Sequence, residues 1–337
     1  MEILLILQEQ ISYMTGLETI QHSISSELKM LNDSIRQSLH TSNSLMNDVV
    51  ERYLETKGKQ IRPLLVMLSA KLFGSIDDKV ISAAASVELL HNASLIHDDV
   101  VDDTQLRRNR PTINAVWDNR IAVLVGDFFV STSLHRAVET GDMRIINAIG
   151  ELGRTLSLGE IDQIQVARKH IVDESCYLDI IDSKTASLFV TCVKLGGYAI
   201  NAPDEDIERL ARFAHLFGLC FQIRDDIFDY YEDSNVGKPT GNDLREGKIT
   251  LPLLYALGLA DHPEHKRMVE LVKNDELTTE QIDMLINFAK DNGGIDYAYE
   301  RMHNLREEAV DIISYFPDSD TRRAFISIFD YIISRDK

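Results

Sequence analysis

The stretch His91-Asn-Ala-Ser-Leu-Ile-His-Asp-Asp-Val-Val-Asp-Asp103 decides how the rest of the chain is read. Residues four apart on an α-helix stand one above the other, about one turn along. Asp98 and Asp102 therefore project from one face with Asp99 beside them, and Ser94 and His91 continue that stripe toward the helix start. Like charges this close repel, and the cluster costs stability unless a cation neutralises it. Hard divalent cations with oxygen ligands answer that need, and Mg²⁺ in particular is commonly shared between one or two carboxylates and a phosphate. Standing alone in an acidic chain, one such run reads equally well as a solvated face.

A second run shifts the balance. Gln222-Ile-Arg-Asp225-Asp226-Ile-Phe-Asp229 repeats the spacing far downstream, so that Gln222, Asp225 (or Asp226) and Asp229 share a helical face. Two aspartate runs on separate helices, each set in apolar sequence, predict two metal-binding walls facing across one cavity.

Composition bounds the possibilities. The 337 residues are 44% apolar, enough for a large core, and no Pro/Gly/Ser linker or convincing internal repeat divides them. Only 7 Pro and 17 Gly punctuate the chain, apolar residues recur at steps of three and four, and strand-like alternation is scarce. The expectation is a single all-α domain over residues 1–337. A net charge of −19 argues against nucleic acid as a partner and makes local basic clusters more informative. Cys176, Cys192 and Cys220 lack metal-ligand spacing and read as buried free thiols. Met1–Leu7 lacks the basic start and cleavage site of a signal sequence, and no apolar run reads as membrane-spanning. These features point to a cytoplasmic protein.

Basic residues recur near the aspartates. In Lys57-Gly-Lys59-Gln-Ile-Arg62-Pro63, Gly58 permits a tight turn and Pro63 suits the first turn of a following helix. Lys59 and Arg62 then lie near a helix N-terminus, where backbone N–H groups already attract anions. The central helix is expected over residues 78–104, capped by Asp77. Arg107, Arg108 and Arg110 follow the first aspartate run; they either fork onto a diphosphate or pair with Asp102 and Asp103. Gly126-Asp127 and Gly159-Glu160 interrupt apolar runs, Lys184-Thr185 opens an apolar helix, and Val236–Lys248 reads as a loop whose Lys238 and Lys248 could close over phosphate.

Together these residues resemble the trans-prenyltransferase family, the all-α polyprenyl diphosphate synthases. The resemblance covers most of residues 55–255 and rests on Gly58-Lys59-x-x-Arg62-Pro63, His91, Asp98-Asp99-x-x-Asp102 with Arg107-Arg108, Gly159-Glu160, Lys184-Thr185, Gln222-x-x-Asp225-Asp226-x-x-Asp229, Lys238 and Lys248. Asn109 departs from the family's usual Gly, and Lys57 and Gln60 from its usual Gly and basic residue.

The resemblance implies an isoprenoid-synthase-type helical bundle around a central cavity and a set of roles. Asp98, Asp102 and Asp225 would bind about three Mg²⁺ ions per site, bridging the diphosphate of an allylic substrate such as farnesyl or geranylgeranyl diphosphate. Asp99, Asp226 and Asp229 would support them. Arg107, Lys184, Lys238 and Lys248 would hold the same diphosphate. Lys59, Arg62, His91 and Arg108 resemble a metal-free site for isopentenyl diphosphate, and Thr185 and Gln222 would turn oxygen dipoles toward a developing carbocation. The family is dimeric, so a homodimer is expected, with product handed on toward a membrane.

Chain length follows from the central helix. A growing tail would run down the stripe beneath Asp98, about 5.4 Å per turn. In the family, bulky residues four or five before the first Asp stop the tail early. Here those positions hold Ser94 and Ala93, with Leu90 and Val87 below, none aromatic. With no bulky residue to stop the tail and one turn close to the length of one isoprene unit, a long all-trans product of roughly seven to ten units is expected, its stopping point set by whichever helix floors the tunnel. Three alternatives remain: a short-chain synthase, disfavoured by Ala93 and Ser94; a terpene cyclase, disfavoured by Lys59 and Arg62; and a non-catalytic partner subunit, disfavoured because no motif aspartate is missing.

Overall fold

Helices dominate because apolar residues recur at three-four spacing and strand patterns are almost lacking. The structure is a computed structural model and describes residues 16–55, 58–231, 240–274 and 276–335. In chain order the long helices are Ser25–Leu39, Ser44–Leu54, Ile61–Phe73, Asp78–Val101, Asn119–Glu139, Met143–Arg168, Ser187–Ala199, Asp204–Phe228, Thr279–Asp291, Gly294–Ile313 and Asp320–Ser334, joined by shorter ones. The all-α expectation is met. The one pair of described strands is a minimal hairpin, Leu106–Arg107 against Arg110–Pro111.

By compactness the chain falls into two units. The first comprises residues 1–153, 191–211 and 317–328; the second, 154–190, 212–316 and 329–337.

In the first unit, the Asp78–Val101 helix is the central element. Its Ala83, Ala84, Ala85, Val87, Leu89 and Ala93 have no exposed surface. Asp77 accepts from the Val80 N–H at 2.9 Å and caps its start, as the sequence predicts. Small residues let the Asn119–Glu139 helix lie close alongside, and the buried Ser133 hydroxyl donates to the Ser86 carbonyl at 2.7 Å. That second helix is, among the described residues, one long and apolar enough to cross a bilayer by length and composition, which corrects the sequence reading. Ala122, Val125, Phe129, Thr132 and Ala137 are nonetheless buried against the protein.

The central helix ends at Val101 rather than at residue 104. Asp103 adopts φ 49°, the Thr104 N–H bonds the Asp99 carbonyl at 2.9 Å, and the Asp103 N–H bonds that of Val100 at 3.4 Å. This paired closure on a left-handed residue terminates the helix. Asp102 still donates its N–H to the Asp98 carbonyl at 2.8 Å, so the two residues keep their one-turn stacking.

In the second unit the core is aromatic. Phe189, Phe213, Phe217 and Phe329 are fully buried and meet edge to face, with Phe189–Phe217 centroids 4.9 Å apart and Phe217–Phe329 5.5 Å apart. Cys220 is buried there, Cys192 is buried in the first unit, and Cys176 is half-exposed, contrary to the expectation of three buried thiols; all are free.

Candidate active site

In the first unit the motif carboxylates sit at the worst end of their helix for negative charge. The last turn of Asp78–Val101 carries no basic residue, and a helix C-terminus already bears partial negative charge. Arg107 relieves Asp99. Asp99 is buried at 5% exposure, and the Arg107 Nε and a terminal nitrogen both reach its Oδ1 at 2.8 Å. Burial pushes the Asp99 carboxyl above the usual carboxylate range, and Arg107 opposes that shift. Asn114, buried and unremarked in the sequence, donates to the Asp99 carbonyl at 3.2 Å and to that of Thr104 at 3.1 Å, pinning the end of the helix. Asp98 stays half-exposed and Asp102 exposed.

The hairpin after the motif places Arg108. Its turn holds Arg108 at φ 52° and Asn109 at φ 60°, the pair of positive angles that a tight hairpin turn requires. Asn tolerates that conformation better than most residues, which is why Asn109 can replace the family's Gly. The Arg108 guanidinium lies over Gly58: a Cβ there would stand 2.7 Å from one of its nitrogens. Gln60 takes φ 48° at the start of the Ile61–Phe73 helix and donates to Asn32 at 2.9 Å, so its replacement of a basic residue leaves the loop anchored. Lys57 lies outside the described residues.

Beneath these cations is Glu88, which the motif reading passed over. Its Oε2 is buried without a hydrogen-bond partner. Burial raises its carboxyl above the ordinary value, while Arg62 and Arg108 act to lower it. His91, 9% exposed, is pushed well down by burial and then by Arg62, Arg107 and Arg108, so its ring is neutral. Arg62, His91 and Arg108 thus share one corner with the buried Glu88 carboxyl beneath it, and Lys59 is exposed on the adjoining turn. Glu88 stands three residues before His91, so the helical stripe already contained the clue. Val87 and Ala93 are fully buried, Leu90 nearly so, and Ser94 half-buried with its hydroxyl donating to the His91 carbonyl at 2.9 Å.

In the second unit, Lys184 and Thr185 lie in a π-helical turn, Asp182–Ala186, an irregularity frequent at functional sites. Two glycines let it approach its neighbours. A Cβ on Gly159 would stand 3.0 Å from Ser183 Cβ, and one on Gly218 2.4 Å from Ala186 Cα. The approach lets Thr185 donate to Gln222 at 2.6 Å and Lys184 to Gln163 at 2.9 Å, with Glu160 in an ion pair to the same lysine. Gln222 in turn donates to Asp226 at 2.7 Å, the i to i+4 contact that the sequence spacing anticipates. The Tyr177 hydroxyl donates to the other Asp226 oxygen at 2.7 Å. Burial, with Asp225 and Asp229 near, pushes Asp226 up to about 7 despite these donors. Burial also holds Asp243 well above the carboxylate range.

Asp229 accepts the N–H groups of Asn242 and Asp243, each at 3.0 Å, and so anchors the short Asn242–Arg245 helix. The stretch read as a loop up to Lys248 is therefore partly helical. Asp225 is half-exposed and pairs with Arg335. Lys248 pairs with Glu246. Gln163, Lys184, Thr185, Gln222, Asp226 and Lys248 line a cavity of about 160 Å³. Lys238 lies outside the described residues.

Among the described residues no three carboxylate, histidine or cysteine groups converge into a ready-made metal cage. Mg²⁺ keeps waters and binds through one or two carboxylates plus substrate phosphates rather than in an all-protein cage. Asp98, Asp102 and Asp225 are oxygen donors with exposed surface at the C-terminal ends of helices that carry no basic residue in their last turns. The donors fit the ion. Within each unit the chemistry these donors support is stabilisation of diphosphate charge by a hard cation and fixed side-chain charge.

The model of the polyprenyl synthetase family matches residues 43–289. The chain is 32% identical to heptaprenyl diphosphate synthase component 2 of Geobacillus stearothermophilus over 322 residues, covering 95% of this chain and 99% of that one. It is 35% identical to a crystal structure of geranylgeranyl pyrophosphate synthase from Bacteroides thetaiotaomicron, with a TM-score of 0.82 over 95% and 99% of the two chains. It is 29% identical to the polyprenyl synthase of Caulobacter crescentus CB15 complexed with calcium and isoprenyl diphosphate, with a TM-score of 0.87 over 95% and 98%. With the family model spanning most of the chain and these relatives matched almost end to end, the chain belongs to the polyprenyl synthetase family.

Proposed function

We propose that the chain is a trans-prenyltransferase that adds isopentenyl diphosphate head to tail to an allylic diphosphate and makes a long all-trans polyprenyl diphosphate. The observation that carries this is the coexistence of two kinds of anion chemistry. Helix-end carboxylates with no basic residue in the last turn call for a metal-bound diphosphate. The Arg62–His91–Arg108 corner is basic and suits a second diphosphate without metal.

Asp98, Asp102 and Asp225 hold Mg²⁺, about three ions per site on the family's pattern. When bound, the metal supplies Lewis-acid stabilisation of the charge on the departing diphosphate. Lys184, Arg107, Lys248 and Lys238 hold the remaining phosphate oxygens, and Asp99, Asp226 and Asp229 orient their neighbours. The Thr185–Gln222 pair presents oxygen dipoles to the allylic cation. The neutral His91 donates a hydrogen bond to the second diphosphate without carrying charge of its own. The alkene attacks, and a proton is lost to the departing diphosphate. No protein nucleophile is needed.

The long product rests on Ala93 and Ser94, and the heptaprenyl relative supports it. The similarity to a geranylgeranyl pyrophosphate synthase supports a second reading, a short-chain enzyme. For assembly, the Asn119–Glu139 helix exposes Val123, Leu124, Leu134 and Val138, a surface suited to a homodimer in the cytoplasm. One relative is named as a component, which supports a heteromer instead.

Purified protein is incubated with farnesyl or geranylgeranyl diphosphate, labelled isopentenyl diphosphate and Mg²⁺, and the products are separated by chromatography. A ladder ending at long chains is expected. Diphosphate release without isopentenyl diphosphate would mark a cyclase, a short endpoint the second reading, and no turnover a partner subunit.

A further inference from the structure

Arg335 continues the Asp320–Ser334 helix, its N–H bonded to the Tyr331 carbonyl at 2.8 Å, and its side chain is only 8% exposed. The guanidinium stacks over Phe221 at 4.5 Å and reaches Phe228 at 5.3 Å, two aromatics seven residues apart on one face of the Asp204–Phe228 helix. Arg224, itself buried, donates to the Arg335 carbonyl at 2.5 Å and lies over Phe228 at 4.5 Å. Both ends of Arg335 are thereby fixed. From that seat it donates to Oδ1 of Asp225, whose side chain remains 41% exposed.

A desolvated arginine held by stacking is not a mobile surface charge. It has one geometry to offer, and that geometry turns one carboxylate oxygen of Asp225 inward. We propose that Arg335 is a positioning residue for Asp225, holding Oδ1 so that the other oxygen is presented to a divalent cation. This rests on the reading of Asp225 as a metal ligand. Two effects compete: the positive charge of Arg335 repels the cation, whereas the fixed hydrogen bond orients the ligand. Because Arg335 spends its charge on Asp225 itself, orientation is the larger effect. Partners of ligating groups typically contribute about 10–100-fold in metal affinity.

The full-length chain and its Arg335→Gln, Arg335→Lys and Phe221→Leu variants are titrated with Mn²⁺ in inorganic pyrophosphate, with free Mn²⁺ read by electron paramagnetic resonance. Thermal melts check folding. Arg335→Gln is expected to weaken Mn²⁺ binding about 10–100-fold, with only partial recovery in Arg335→Lys, which keeps the charge but lacks the planar fork. Phe221→Leu, which loosens the seat and leaves the charge, is expected to weaken binding by a smaller factor and decides the matter if Arg335→Gln fails to fold. Equal or tighter binding in the folded variants overturns the role of Arg335 alone. Absence of Mn²⁺ binding by the wild-type chain overturns the metal-site reading, and this proposal with it.

Discussion

The buried Tyr177 hydroxyl donates to Asp226 at 2.7 Å across 49 residues of sequence. Gln222 donates to the carboxylate's other oxygen, yet burial still holds Asp226 up at about 7, against 3.8 for an ordinary aspartate. The native carboxyl therefore keeps its proton between those two values while the unfolded one has lost it. The native state binds more protons in that window, so stability of the metal-free protein falls as pH rises from about 4 to about 7. Thermal melts across that range should show the decline. Tyr177→Phe removes a donor that favours the ionised form and should extend the decline to higher pH. A melting temperature that rises steadily from pH 4 to 7 would count against the buried, protonated Asp226.

Gly218 sits in the interior of a helix, where glycine costs roughly 0.5–1 kcal/mol relative to alanine. It is there because Ala186 Cα would be only 2.4 Å from a Cβ. Gly218→Ala should lower the melting temperature despite its better helix propensity. It should also displace the π turn that carries Lys184 and Thr185, reducing kcat more than it raises KM for isopentenyl diphosphate. Unchanged kinetics would show that the turn can retreat without loss.

Gly58 lies beneath the Arg108 guanidinium, and the atoms nearest a Cβ there belong to that flexible group. Gly58→Ala should therefore leave folding intact and raise KM for isopentenyl diphosphate about tenfold, an amount near 1.4 kcal/mol of lost charge-assisted contact. KM for the allylic substrate should stay nearly constant. Steady-state kinetics with each substrate varied in turn makes the comparison; equal changes in both constants would remove Arg108 from a separate second site.

Ala93 is fully buried and Ser94 half-buried. A phenylalanine at residue 93 must overpack a closed interior, at about 1–3 kcal/mol, while at residue 94 it meets a more open surface. Ser94→Phe is expected to shorten the product with little loss of stability, and Ala93→Phe to shorten it at a lower melting temperature. Product chromatography beside a thermal melt separates the two; a full-length product from both variants would move the tail's path elsewhere.

Much was legible in the linear sequence because it depends on neighbours along one helix. The i to i+4 spacing aligned Asp98 with Asp102 and Gln222 with Asp226, Asp77 marked a helix start, and the order of motifs carried the family resemblance that implies two diphosphates. Packing between distant segments decided the rest. Which aspartate is buried, which is paired and which keeps solvent at its oxygens depends on Arg107, Tyr177 and Arg335, and the last two lie 49 and 110 residues from their partners. Glu88 beneath Arg62 and Arg108, the glycines pressed against the π turn, and the left-handed closure at Asp103 belong to the same class. Helix periodicity is a local property of the chain, whereas burial and long-range pairing are set only when remote side chains exclude water from one another.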